Sequence, residues 1–286
     1  MEGKPVGVIG IVGAGTMGTG IAQVVAAMGY KVILRDIKLS FVEASVGRIG
    51  KQLAKSVEKG KITEAQKEET MARFVMTENL QDFKDVDIVI EAVLENMDLK
   101  KAIFKELNDV CKAGTIFASN TSSMSITEIG KESGRPDRFC GIHFFNPAPV
   151  MRLVEVISGL RTSDETIAKA LEFTLSLGKT PVEVKKDSPG FIVNRLLIPF
   201  MNEAARLYAE GVASVEDIDT AVKLGLNHPM GPFQLLDFGG IDLSVTISNY
   251  FSDEFNDNGY APQPVLKQMV RAGKTGMKSG EGFYKY

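Results

Sequence analysis

Two residues in one apolar stretch carry the clearest hint of chemistry. Residues 139–156 read FCGIHFFNPAPVMRLVEV; His143 is one of two histidines in the chain, and Glu155 follows twelve positions later in a second apolar run. An imidazole can take and return a proton near neutral pH, and a carboxylate against it holds its tautomer and steadies the cation. The two types therefore make an acid/base couple if their segments lie side by side. Residues 139–145 and 153–157 both read as strands, and Asn146-Pro147-Ala148-Pro149 between them is a turn that no helix survives. A histidine between Ile142 and Phe144 also fits a hydrogen-bonded core residue, so the surroundings must decide. Cys140 stands three residues before His143, which places the two on opposite faces of a strand. Further Cys and His ligands are scarce, and no metal site is expected.

The elements upstream read as a device for holding a nucleotide. Residues 6–12 are an apolar strand, followed by Gly13-Ala-Gly15-Thr16-Met17-Gly18 and then by Ile21, Val24, Val25 and Met28 at helical spacing. In that order the first glycine allows a tight turn, the second lets a pyrophosphate approach the backbone, and the third lets helix and strand pack closely. Unpaired N–H groups at the helix start then face the phosphates. A second strand, 31–35, ends at Asp36, whose carboxylate can accept both adenosine ribose hydroxyls and repels a 2′-phosphate. NAD is favoured on that ground. Arg35 beside it keeps NADP open.

Residues 38–75 depart from the alternation and read as two helices, an inserted hairpin with Gly60 ending the first and Thr63-Glu-Ala-Gln66 capping the second. Lys51, Lys55 and Lys59 line one helix face, which is either a solvated surface or a row of cations for a phosphorylated substrate handle. Strands at 86–93 and 115–118 then deliver Glu95, Asn96 and Lys100, and the hydroxyl-rich Ser119-Asn120-Thr121-Ser122-Ser123, to the edge where open α/β sheets bind ligands. Helix capping explains part of that cluster, since Ser125-Ile-Thr-Glu128 is a capping box. No G-x-S-x-G elbow is present for a hydrolase, so Ser122 is better suited to donate to a bound oxygen.

A helix at 166–177 and a strand at 182–184 complete the sheet. After Pro189-Gly190-Phe191 only helices fit: 192–209, 215–224, 235–251 and a short one at 265–272. The expected architecture is α/β, a Rossmann-type doubly wound sheet with an inserted helical hairpin over 1–189, followed by an all-helical domain over 190–286. A helical domain that small, with so many apolar positions, is expected to bury some of them against a second copy.

With 33 Lys+Arg against 36 Asp+Glu, the net charge is −3, and no global field points to nucleic acid or a membrane surface. Cys111 and Cys140 are far apart and form no C-x-x-C, which suits a reducing compartment. The N-terminus lacks the pattern of a signal peptide, and no apolar run approaches the ~20 residues needed to cross a bilayer. A cytoplasmic protein is expected.

The motifs together resemble the 3-hydroxyacyl-CoA dehydrogenases. Gly13-Ala-Gly-Thr-Met-Gly18, Glu91-Ala-Val-Leu-Glu95-Asn, Ser119-Asn-Thr-Ser-Ser123, His143-Phe-Phe-Asn-Pro147, Pro189-Gly-Phe-Ile-Val-Asn-Arg195, His228-Pro-Met-Gly-Pro232 and Lys278-Ser-Gly-Glu-Gly-Phe-Tyr284 follow that family's order through nearly the whole chain. The likeness is greatest to the bacterial 3-hydroxybutyryl-CoA enzymes of fermentative butyrate and butanol formation. The resemblance implies NAD-dependent interconversion of (S)-3-hydroxyacyl-CoA and 3-ketoacyl-CoA, with His143 as general base and Glu155 orienting it. It implies that Ser122 and Asn194 hydrogen-bond the reacting oxygen or the thioester; Asn194 also fits a satisfied helix residue, and His228 looks structural. Asp36, Glu95, Lys100, Asn120, Asn146 and Lys278 would contact NAD beside the glycine turn. Lys55 and Lys59 would hold the CoA phosphates, and the C-terminal helices would form a homodimer interface and cover the substrate. Two other readings share the scaffold: a sugar-acid dehydrogenase of the gulonate type, against which the lysine row argues, and a structural relative that binds NAD without turnover.

Overall fold

The computed structural model describes residues 7–286; Val6, the first residue of the expected strand, lies outside the described residues. The chain divides into two compact units, one ending at Ser188 and one running from Pro189 to Tyr286.

The first unit is built on one eight-stranded sheet in the order β3-β2-β1-β4-β5-β6-β7-β8. Its strands are β1 (Val8–Val12), β2 (Lys31–Arg35), β3 (Phe74–Thr77), β4 (Ile88–Glu91), β5 (Ile116–Ser119), β6 (Phe139–Phe144), β7 (Leu153–Ser158) and β8 (Thr180–Val184). Strands β1 to β6 pair in parallel, β7 runs antiparallel to β6, and β8 is parallel to β7. The central strands are apolar on both faces because helices cover both: Ile9, Ile11, Ile90, Ala118 and Ile142 are buried with Ile21 and Val25 of α1 (Thr16–Ala27). The order changes direction between β1 and β4, and the crevice beyond the carboxyl ends at such a point is where these sheets take a ligand.

The inserted hairpin consists of α2 (Leu39–Glu58) and α3 (Glu64–Met71), whose N-terminus carries the expected Thr63–Gln66 capping box. The hairpin stops short of residue 75. Residues 74–77 form the edge strand β3, and because Val75 and Met76 are exposed there, no buried-strand pattern shows in the sequence. The sheet is completed by α4 (Met97–Val110), α5 (Ile126–Glu132) and α6 (Asp164–Ser176). Arg135 pins the end of α4: its guanidinium donates to the Asn108, Lys112, Cys111 and Thr115 carbonyls and lies 4.5 Å over the Phe117 ring.

The second unit comprises α7 (Val193–Ala209), α8 (Val215–Gly225), α9 (Pro232–Gly239), α10 (Ile241–Phe255) and α11 (Pro264–Arg271), packed around Ile198, Met201, Phe233, Leu236, Phe251 and Leu266. The single helix expected over 235–251 is two, broken at Gly240, whose φ of +97° no helix accommodates. Apolar periodicity runs across the break and hides it. Two buried carboxylates order this unit. Asp219 accepts from the Phe233 and Gln234 amides at the start of α9 and from the Tyr284 hydroxyl, and Asp237 accepts from the Phe283 and Tyr284 amides and the Tyr286 hydroxyl. The C-terminal residues are thus strapped back onto α9. No helix among the described residues is long and apolar enough to cross a membrane.

Candidate active site

Antiparallel pairing of β6 and β7 sets His143 directly opposite Glu155. Their side chains meet, with Nδ1 of His143 2.8 Å from Oε2 of Glu155, and both are buried, at 5 % and 0 % exposure. A carboxylate so placed accepts the Nδ1 proton, which leaves Nε2 as the ring atom able to take another. The Phe145 ring packs 4.5 Å from the imidazole. Asn120, just past β5, accepts the Phe144 amide on its side-chain oxygen at 2.8 Å, bracing the strand end next to His143. Asn146 follows in the exposed turn between the two strands.

The glycine turn joins β1 to α1, and its three glycines differ in what surrounds them. Gly13 has φ +108°, and a Cβ there would lie 2.5 Å from the Ala92 carbonyl oxygen; at Gly18 it would lie 1.8 Å from that of Gly13. Both are demanded by the protein itself. A Cβ at Gly15 would meet nothing within 4 Å, so the space over Gly15 suits the close approach of a pyrophosphate, with Thr16 and Met17 opening the helix beside it. Asp36, just past the end of β2, has Oδ2 on the Ala14 amide and Oδ1 on the Ile37 amide, each at 2.7 Å. Arg35 turns away and donates from Nε to the Glu78 carbonyl at 3.1 Å. The residues present fit a dinucleotide.

Past the ends of β4 and β5 lies a cluster of charges. Lys100 of α4 is only 1 % exposed, with Nζ 2.7 Å from Glu91 and 3.1 Å from Glu95. Glu91, the last residue of β4, is fully buried and also accepts the Val93 amide and the Ser119 hydroxyl, both at 2.7 Å. Glu95 accepts the Thr121 hydroxyl and, at 3.3 Å, the Ser122 amide. Lys55 and Lys59 lie exposed at the C-terminal end of α2, and neither they nor Lys51 joins an ion pair among the described residues. In the second unit Asn194 is the second residue of α7, and Lys278 Nζ stands 2.6 Å from the Asp242 carboxylate. Burial pushes the Asp242 carboxyl up, but the hydrogen bond and charge of Lys278 outweigh it and hold the group below its ordinary value.

Comparison with known proteins accounts for both units. The NAD binding domain of 3-hydroxyacyl-CoA dehydrogenase matches residues 8–188, and that family's C-terminal domain matches residues 190–286. The chain belongs to the 3-hydroxyacyl-CoA dehydrogenases. It is 48% identical over 278 residues to the 3-hydroxybutyryl-CoA dehydrogenase of Clostridioides difficile, covering 97% of this chain and 99% of that one. To the human mitochondrial hydroxyacyl-coenzyme A dehydrogenase it is 46% identical over 284 residues, covering 96% and 90%. The crystal structure of (S)-3-hydroxybutyryl-CoA dehydrogenase PaaH1 from Ralstonia eutropha superposes with a TM-score of 0.96 at 46% identity, over 99% of both chains. This dehydrogenase is therefore an NAD(H)-dependent oxidoreductase on a Rossmann-type sheet with a helical C-terminal domain, as the motifs led one to expect.

Some site residues were not singled out in the sequence. Glu91 stood in the open, an acid inside the apolar run Val-Asp-Ile-Val-Ile-Glu-Ala-Val, and a charge in a central strand always asks for a partner. Arg48 of α2 gave no such signal. Its guanidinium donates to the Ala14 carbonyl at 3.1 Å and to the Thr19 hydroxyl at 3.2 Å, tying the hairpin to the glycine turn.

Proposed function

We propose that the chain interconverts (S)-3-hydroxybutyryl-CoA and acetoacetyl-CoA with NAD(H), working in the direction of reduction in the formation of butyrate or butanol. The observation that carries this reading is the buried His143–Glu155 contact at 2.8 Å. Bound NAD supplies the hydride acceptor, or as NADH the donor, at C3 of the substrate. In oxidation His143 takes the hydroxyl proton on Nε2 as the C3–H bond breaks; in reduction the imidazolium returns that proton to the 3-keto oxygen. Glu155 holds the Nδ1 tautomer and balances the charge while the ring carries both protons. Ser122 and Asn194 donate hydrogen bonds to the oxygen on which charge builds, or to the thioester. On the cofactor side Gly15, Thr16 and Met17 face the pyrophosphate in the turn that Gly13 and Gly18 make possible, Asp36 accepts the adenosine ribose hydroxyls, and Glu95, Lys100, Asn120, Asn146 and Lys278 complete the contacts.

Lys55 and Lys59 bind the CoA phosphates in this reading, and their lack of ion-pair partners among the described residues supports it. The chain pairs as a homodimer through its C-terminal helices, where Leu196, Leu224, Phe238 and Leu243 are exposed, and it works in the cytoplasm. Initial rates of NADH and NADPH oxidation with acetoacetyl-CoA, longer 3-ketoacyl-CoAs and free 3-keto acids test the substrate class. Turnover of acetoacetyl-CoA with NADH is expected. Turnover of free acids in its place overturns the reading. Lys55→Ala combined with Lys59→Ala should raise KM for the CoA ester far more than for a truncated thioester, and equal effects would make the row a solvated face.

A further inference from the structure

Beneath the Ser119–Ser123 turn, five residues close a ring of hydrogen bonds that runs Glu91–Ser119–Thr121–Glu95–Lys100 and back to Glu91, through side chains except where the Thr121 amide meets the Ser119 hydroxyl. Parallel pairing of β4 and β5 puts Glu91 beside Ser119, and the Ser119 hydroxyl donates to Glu91 at 2.7 Å while accepting the Thr121 amide at 3.2 Å. The Thr121 hydroxyl donates to Glu95, and Lys100 joins Glu95 at 3.1 Å to Glu91 at 2.7 Å. Glu91, Lys100 and Ser119 are each at most 1 % exposed. Lys100 joins the fully buried carboxylate of Glu91 to that of Glu95, which is 40 % exposed, and a charge buried as deeply as Glu91 persists only when its oxygens are satisfied.

We propose that Glu91 is the positioning residue of this turn, gripping it through Ser119 on one side and through Lys100 and Glu95 on the other, so that Ser122 is presented to the substrate in a single geometry. This deepens the reading above and rests on Ser122 being a donor to the reacting oxygen or thioester. Glu91 reaches no substrate atom itself. It acts by fixing the backbone on either side of Ser122, whose amide hydrogen-bonds Glu95 at 3.3 Å. A carboxylate suits the position because Oε1 takes Lys100 and the Val93 amide while Oε2 takes Ser119. A carboxamide has one acceptor oxygen and cannot serve both sides. Glu91→Gln therefore takes away the charge opposite Lys100 and, with its oxygen on Lys100, leaves the Ser119 proton without its acceptor, so the ammonium pulls harder on Glu95 and the grip on the turn loosens.

The experiment is a double-mutant cycle on kcat with acetoacetyl-CoA at saturating NADH, so that any change in cofactor affinity drops out. Glu91→Gln is expected to lower kcat about tenfold and Ser119→Ala about threefold, whereas in a Ser122→Ala background either should cost less than about twofold. A full and additive loss in that background, or wild-type kcat in Glu91→Gln, overturns the proposal. Wild-type kcat in Ser122→Ala itself overturns instead the reading of Ser122 on which the proposal rests. Should Glu91→Gln fail to fold, the Ser119→Ala and Ser122→Ala cycle decides by the same criterion, because Ser119 is one of the two grips.

Discussion

Replacing Glu155 with Gln asks whether the carboxylate does more than fill space against His143. Gln keeps the volume and still presents an oxygen to Nδ1, so packing and tautomer can both survive, and what is lost is the negative charge 2.8 Å from the ring in a fully buried position. A hydrogen bond involving a charged group is worth ~1.5–3 kcal/mol, against ~0.5–1.5 kcal/mol for a neutral one. The charge matters most while the ring carries the substrate proton, so the loss falls on the transition state. The difference between the charged and the neutral bond, ~1–1.5 kcal/mol there, corresponds to a decrease of about 5- to 13-fold in kcat. Steady-state NADH oxidation with saturating acetoacetyl-CoA reads it directly, and KM for NADH should stay within about twofold because the fully buried Glu155 is not among the proposed cofactor contacts. His143→Asn removes the base and should lose roughly 10²–10⁴. Glu155→Asp keeps the charge one methylene farther away and should fall between wild type and Glu155→Gln. If Glu155→Gln retains kcat within about threefold while His143→Asn does not, the carboxylate is a packing residue and the charge argument fails.

The glycine turn separates two kinds of constraint. Gly18→Ala forces a Cβ onto the Gly13 carbonyl at 1.8 Å and should destabilise by ~1–3 kcal/mol or more in urea melts, whereas Gly15→Ala meets nothing, should leave the melt unchanged, and should weaken NADH binding by fluorescence titration. Burial pushes the Cys111 thiol up to about 11 and the Cys140 thiol to about 12. Both thiols should therefore resist an aromatic disulfide reagent near neutral pH in the native protein and react once it is denatured. Because these folded values lie above the ordinary thiol value of 9.0, the stability the neutral thiols contribute is complete below 9.0 and is lost as pH rises toward 12. At the C-terminal strap, burial first and then the neighbouring Asp237 push the Tyr286 phenol up to about 12, and burial with Asp219 raises that of Tyr284. An ultraviolet titration should show both ionising late, with unfolding setting in as pH climbs past the ordinary phenol value of 10.0. Asp237→Ala, which leaves the Phe283 and Tyr284 amides without their acceptor, should cost ~1–3 kcal/mol in the same urea melts.

How much of this was legible from the residues depends on the range of the interactions concerned. The glycine turn, Asp36 and the strands around them announce themselves because each requirement is local: a turn needing positive φ, a helix start, a carboxylate at a strand end. The His143–Glu155 couple was legible for a related reason. An eight-residue connection holding two prolines lets neighbouring strands pair antiparallel, and only the register remained to be seen. The edge strand β3 was not legible, since half its residues face solvent and no period survives. The break at Gly240 was masked by apolar residues continuing on both sides. Arg48 is the hardest case: an arginine on an exposed helix face is ordinary, and only the tertiary placement of α2 brings it to the Ala14 carbonyl.

Glu91 lies between these extremes. Its sequence signal was a contradiction, an acid inside a strand that must be buried on both faces, and the contradiction could be noticed without a partner in view. The partner is Lys100, nine residues on, which first draws notice as a cation near a cofactor. Each of these two charges is physically admissible only because of the other, and their closure through Glu95, Thr121 and Ser119 ties the ends of two parallel strands together. An expensive buried charge cluster at the switch point of the sheet, where hydrophobic residues would pack more cheaply, makes sense if what it secures is the geometry of the turn that bears Ser122. The double-mutant cycle measures that coupling directly.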